Sequence, residues 1–149
     1  MRLPVVFALA LAGAFCATGA VAVDNLTYND APDLASVRAK IKAEDYKAAI
    51  EELTPMLGSH QHADVYNLMG FSLRKTGDYK QAYTFYRKAL DFDPDHKGAL
   101  EYLGELYVET GQIEKAKENE ARLQALCPSG CEELADLQKA IGSASAKIN

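Results

Sequence analysis

The sequence predicts an all-α solenoid of about three helix–turn–helix units with a C-terminal capping helix. Three observations predict it. Gly70 and Gly104, Gly77 and Gly111, Ala82 and Ala116, and Pro94 and Pro128 share one interval of about 34 residues, the period of a stacked helix pair. Apolar residues recur at helical spacing within each period. Turn formers separate the resulting stripes: Gly77-Asp78 and Gly111-Gln112 inside the units, Asp93-Pro94 between them.

In chain order, residues 1–22 carry Arg2, an apolar stretch from Leu3 to about Phe15, and Ala20-Val21-Ala22 ahead of Val23-Asp24. This is the pattern of a secretory signal peptide cleaved after Ala22, too short for a stable membrane span. A lipid anchor on Cys16 is the rival, but Phe15 before the cysteine is too bulky for the usual lipobox. The expectation is a soluble periplasmic or secreted protein. No second apolar run is long enough to span a bilayer. The stretch from Val23 to Asn149 is one domain's worth of chain. Removing Arg2 from the 16 basic side chains leaves 15 against 21 acidic ones, a net charge of −6. That balance argues against nucleic acid or anionic lipid as a partner.

After a linker over 23–29, a degenerate unit is expected over 30–62. Its first helix starts near Pro32 and buries Leu34, Val37 and Ile41. Asp45-Tyr46-Lys47 and Ala49 precede Asp78-Tyr79-Lys80 and Ala82 by nearly the same period. Pro55 should kink or end the second helix, because its ring removes a hydrogen bond. The unit has no equivalent of Gly70.

The next unit, 63–96, places Tyr66, Met69, Gly70 and Leu73 on the buried stripe of its first helix. Gly70 lets a neighbour approach closely. Gly77 supplies a left-handed residue and Asp78 an N-cap oxygen. Ala82, Tyr86, Ala89 and Leu90 line the second helix, and Asp93-Pro94 ends it. The third unit, 97–128, repeats the scheme with Leu100, Leu103, Gly104, Leu106 and Tyr107, then Gly111-Gln112, Ala116, Leu123 and Pro128. Glu120 stands where Tyr86 stood, so this helix should meet something other than a standard following repeat. A helix from Glu132 to Ile141, with Leu134, Leu137 and Ile141 on one face, is expected to cap the stack within a segment 129–141. The small, polar tail 142–149 should be flexible.

Tyr66, Met69-Gly70, Leu73, Ala82, Tyr86, Ala89 and Pro94 resemble the tetratricopeptide repeat, with Tyr in place of the usual first-helix Trp. The resemblance covers about residues 30–128 and implies a right-handed superhelix whose first helices line a concave, protein-binding groove. The signature residues pack, and none does chemistry. The clamp of Lys, Asn and Arg with which some family members hold a chaperone's C-terminal carboxylate has no counterpart. Arg38 and Asn67 are the nearest candidates, while the third helix offers Gly98, Glu101, Tyr102 and Glu105.

On that resemblance the groove wall comprises Arg38 and Lys42 from the first unit, and Asp64, Asn67, Phe71, Arg74 and Lys75 from the second. Glu101, Glu105 and Glu109 from the third, spaced four apart, form one acidic ridge. The groove should run from basic, past an exposed Phe71, to acidic, and take a partner segment with basic residues. The competing expectation is a solvated ridge partly neutralised by Arg74 and Lys75.

Export would leave two cysteines, Cys127 and Cys131. An isolated pair this close in an oxidising compartment is expected to form a disulfide that staples the capping helix to the last unit. Closing so short a loop is worth roughly 2 kcal/mol. Redox chemistry fits less well, since catalytic dithiols favour two intervening residues and a cationic setting, while Glu132 and Glu133 follow here. A metal site would need a histidine, and His60 and His62 lie far upstream. His60 and His62 read as loop residues, with Asp64 the nearest third ligand, and His96 has no evident partner. No cofactor is expected. No glycine-rich phosphate loop, nucleophile elbow or His-Glu metal helix points to an enzyme, so the expected function is a non-enzymatic adaptor. The alternatives are a self-assembling homo-oligomer and a thiol- or metal-linked factor using Cys127 and Cys131.

Overall fold

A computed structural model describes residues 32–59 and 61–146. The expected signal peptide, the linker, the first residues of the degenerate unit, His60 and residues 147–149 lie outside the described residues. Among the described residues there are seven helices and no strand. They are α1 (Ala35–Lys42), α2 (Tyr46–Ser59), α3 (Ala63–Lys75), α4 (Tyr79–Phe92), α5 (Lys97–Glu109), α6 (Ile113–Leu126) and α7 (Glu132–Ala146). Each packs on its neighbours in the chain, and α5 also packs on α3 and α7. The result is an all-α helical solenoid.

The three intra-unit corners are built alike. Asp45, Asp78 and Gln112 donate their backbone N–H to Lys40, Leu73 and Tyr107 carbonyls at 2.9, 2.9 and 2.7 Å, while Glu44, Gly77 and Gly111 bond to Ile41, Arg74 and Val108. These paired bonds close the helix end in the Schellman manner, which needs one left-handed residue. Gly77 and Gly111 supply it at φ 89° and 74°, and Glu44 holds the same place at φ 58°. The degenerate unit therefore keeps the corner but strains it, because a side chain is unfavourable there. Asp45 and Asp78 cap the helices that follow by accepting the N–H of Ala48 and Gln81. Gln112 makes no such cap.

Two sequence expectations change. α2 does not stop at Pro55 but runs on to Ser59; Glu51 and Pro55 are both exposed, so water can reach the carbonyl the proline leaves unbonded. The expected tail is helical to Ala146. Ser143 and Ser145 turn their hydroxyls back onto the Lys139 and Ile141 carbonyls at 2.8 and 3.0 Å, and the nearby alanines favour helix.

The period glycines mark where helices touch. A Cβ on Gly70 would lie 2.7 Å from Tyr86 Cδ1, and one on Gly104 would lie 2.6 Å from Leu137 Cδ1. Tyr86 belongs to the second helix of its own unit, whereas Leu137 belongs to α7. The capping helix thus fills the space that Glu120 cannot. Leu134, Leu137 and Ile141 are buried and lie one full period after Leu100, Leu103 and Tyr107, so α7 occupies the register of a further first helix.

Candidate functional site

The odd-numbered helices present one common face. A hollow of about 300 Å³ is lined by Arg38 from α1, Asn67 from α3, Glu101 and Tyr102 from α5, and Glu133 and Asp136 from α7. Beside it lies a second hollow of about 390 Å³, between Glu105, Val108 and Glu109 of α5 and Ala140, Ser143 and Ala144 of α7.

The expected acidic ridge is divided. Arg74, expected in the groove wall, is only 4% exposed. Its guanidinium lies 5.6 and 5.8 Å from the ring centres of Phe71 and Tyr102 and donates to Glu105 at 2.5 Å and Glu109 at 2.8 Å. Burial disfavours its charge, but Tyr86, Glu105 and Glu109 outweigh that and leave its pKa raised. Two of the three glutamates therefore share one arginine from the preceding unit.

Glu101 has no such partner. It is 7% exposed and has neither hydrogen bond nor ion pair among the described residues. Burial above all, then the charges of Glu105, Asp136 and Glu133, push its carboxyl up to about 8. Asn67, one period earlier in the chain, is 4% exposed and its Oδ1 has no hydrogen-bond partner. A Cβ on Gly98 would lie 3.2 Å from Asn67 Nδ2, so the glycine leaves just enough room for this amide. Asn67, Arg74 and Glu101 were expected outside the buried stripe. All three are buried because the next odd helix lies close against each of them.

The remaining groove residues are more open. Phe71 is half-buried between Tyr102 and Tyr46, ring centres 4.8 and 6.2 Å away, with Lys75 Nζ 5.3 Å from its ring centre. Lys42 is exposed in the last turn of α1. Arg38 is exposed, with a guanidinium nitrogen 3.6 Å from Asp64 Oδ2.

His96 proves to have two partners. Its Nδ1 accepts the Ala99 N–H at 3.0 Å, capping α5, so Nε2 carries the proton and donates to Asp64 Oδ1 at 3.0 Å. That bond above all, with Arg38 nearby, holds the Asp64 carboxyl below its usual pKa against the opposing effect of burial. His62 caps α3 through Nδ1, which accepts the Asp64 N–H at 3.2 Å. The two histidines are themselves one period apart, a spacing that marks both as helix caps as plainly as the glycines mark the corners.

Cys127 and Cys131 sit between α6 and α7 with Cα atoms 5.9 Å apart and their sulfurs adjacent. Among the described residues no group of three or more His, Cys, Asp or Glu is arranged to hold a metal ion, and no helix is long and apolar enough to cross a membrane. His60 is not among those residues.

A tetratricopeptide repeat family model matches residues 73–126, from the end of α3 to the end of α6. The chain carries tetratricopeptide repeats over these residues. No curated protein matches it. Repeats of this kind point to a protein–protein interaction module, and here their signature residues pack rather than react. The tetratricopeptide register also accounts for acidic residues that the sequence reading left out of the groove. Glu132, Glu133 and Asp136 join it because α7 stacks as one more first helix, as the spacing of Leu134, Leu137 and Ile141 would have indicated.

Proposed function

We propose that this tetratricopeptide repeat protein is an exported, non-enzymatic adaptor that holds a segment of a partner polypeptide against its odd-numbered helices. One observation carries the proposal: a single hollow takes its lining from α1, α3, α5 and α7 together, so these four faces form one continuous surface. The polar groups there converge on an open surface rather than across a closed cleft, which suits recognition better than acid–base catalysis. Export follows from the pattern of residues 1–22, and the exported chain would begin at Val23. In that oxidising setting the Cys127–Cys131 bridge would hold α7, and with it the last wall of the groove, onto α6.

The test is affinity capture from a periplasmic extract with three baits: the chain from Val23, the variant Ala140→Trp, and the variant Tyr79→Ser. Ala140 is half-buried in the groove, and Tyr79 is exposed on an even-numbered helix. A polypeptide lost with Ala140→Trp and kept with Tyr79→Ser supports the proposal. Loss with Tyr79→Ser alone moves the site to the even helices, and a concentration-dependent dimer in sedimentation favours self-assembly. Export is checked by N-terminal sequencing of the secreted protein. The bridge is checked by the mass after alkylation without reductant.

A further inference from the structure

We propose that the hollow of about 300 Å³ shared by α1, α3, α5 and α7 receives the side chain of a lysine or arginine on the partner polypeptide, with Glu101 and Asn67 as its buried floor and Glu133 and Asp136 at its rim. This rests on the groove proposal and names the chemistry of its partner.

The charges around the hollow call for a cation. Glu105 and Glu109 already share Arg74. Glu101, Glu132, Glu133 and Asp136 have no ion pair among the described residues. Of the groups lining the hollow, Arg38 is the one permanent cation, and it lies on Asp64 with more than half its side chain exposed.

An unmet hydrogen bond points to the same ligand. Asn67 Oδ1 is buried with no donor, which is uncommon in folded proteins. An ammonium has three N–H donors and a guanidinium five, so either can bond Asn67 and Glu101 at once. The volume of about 300 Å³ is at the small end of ligand-sized pockets and suits one side chain. A flexible lysine or arginine stem can also pack its methylenes against Tyr102 while its head reaches the floor.

A proton is linked to this binding. Glu101 faces Glu105 on its own helix, Glu133 and Asp136 on α7, and Arg74 on α3, and shares the hollow with Asp64, His96 and Arg38. With its carboxyl raised to about 8, it is largely protonated at neutral pH. An entering cation favours the carboxylate, so Glu101 releases its proton to the buffer on binding and affinity rises from pH 6.5 to 8.5.

The experiment uses three capped pentapeptides, alanine throughout except for a central lysine, arginine or norleucine, titrated into the isotope-labelled chain from Val23. Amide shifts and calorimetry in two buffers of different ionisation enthalpy are read at pH 6.5 and 8.5. The lysine or arginine peptide should bind at least about tenfold more tightly than the norleucine peptide, shifting amides of α5 and α7 and releasing a proton at pH 6.5. Glu101→Gln should lose about tenfold and abolish the proton release. Asp136→Asn, at an exposed position, should lose a few-fold, and Arg38→Ala should gain.

Equal binding of the norleucine peptide, or an unchanged affinity in Glu101→Gln and Asp136→Asn, overturns the proposal. Butylamine binding as tightly as the lysine peptide overturns its assignment to a polypeptide. The two proposals fail separately. A captured partner lost with Ala140→Trp but kept with Glu101→Gln leaves the groove standing without the pocket. A Glu101-dependent lysine peptide with no groove-dependent partner does the reverse.

Discussion

The units 63–96 and 97–128 carry a glycine at the same point of the first helix, yet different elements fill the space beside it. In the earlier unit Tyr86 of its own second helix lies against Gly70; in the later one Leu137 of α7 lies against Gly104. The equivalent of Tyr86 is Glu120, which leaves a place for the terminal helix to occupy. Charges diverge in the same way. The earlier first helix carries Arg74, buried and paired with Glu105 and Glu109. The later one carries Glu101, buried and unpaired, at the position equivalent to Asn67. The last unit of a solenoid can thus leave its packing to be completed by a terminal helix and its charge by a partner. The surface left incomplete is where the proposed partner would fit.

Packing substitutions should have the largest effects. Gly70→Ala drives a methyl into a fully buried tyrosine ring and should cost about 3 kcal/mol in urea denaturation, loosening the whole stack. Gly104→Ala should cost about 2 kcal/mol, with loss of hydrogen-exchange protection confined first to α7, since stacked units contact only their neighbours. Combining Gly104→Ala with Leu137→Ala should cost less than the sum of the two, because the new methyl occupies part of the vacated space. Additive losses, or equal disturbance of α7 by Gly70→Ala, would break the comparison.

Glu101 provides the next effect. Its folded carboxyl titrates at about 8, above the ordinary unfolded value. Between those two values the folded state therefore holds a proton that the unfolded state has lost, and stability falls as pH rises. Glu101→Gln should stabilise the chain by about 1–2 kcal/mol at pH 8.5, after allowance for solvent screening, and by almost nothing at pH 4. Thermal melts at the two pH values read this directly. A pH-independent gain would mean that folding does not shift the Glu101 carboxyl.

The corners should give smaller changes of opposite sign. Gly77→Ala or Gly111→Ala should cost about 1 kcal/mol, whereas Glu44→Gly should gain about 1 kcal/mol by relieving a left-handed residue. The smallest expected effect is Gln112→Asp, a gain of about 0.5–1 kcal/mol from adding the N-cap that its two counterparts contribute. Denaturant midpoints of these variants rank the three corners against one another.

The helix pairs, their order and their corners are legible in the amino-acid sequence. Gly77-Asp78, Gly111-Gln112 and the recurrence of Gly70 at Gly104 act through backbone conformation and side-chain volume, which depend on near neighbours along the chain. The sequence also contained α7's register in Leu134, Leu137 and Ile141, obscured because no glycine accompanies them. Only the tertiary structure decided which like-looking charges are spent. Arg74 reaches Glu105 and Glu109 across 31 and 35 residues of chain, and His96 reaches Asp64 across 32. Those pairings depend on how each odd helix is rotated against the next. A shift of a few ångströms would move Glu101 from a solvated ridge to a buried floor or back, and side-chain spacing along one helix does not record it.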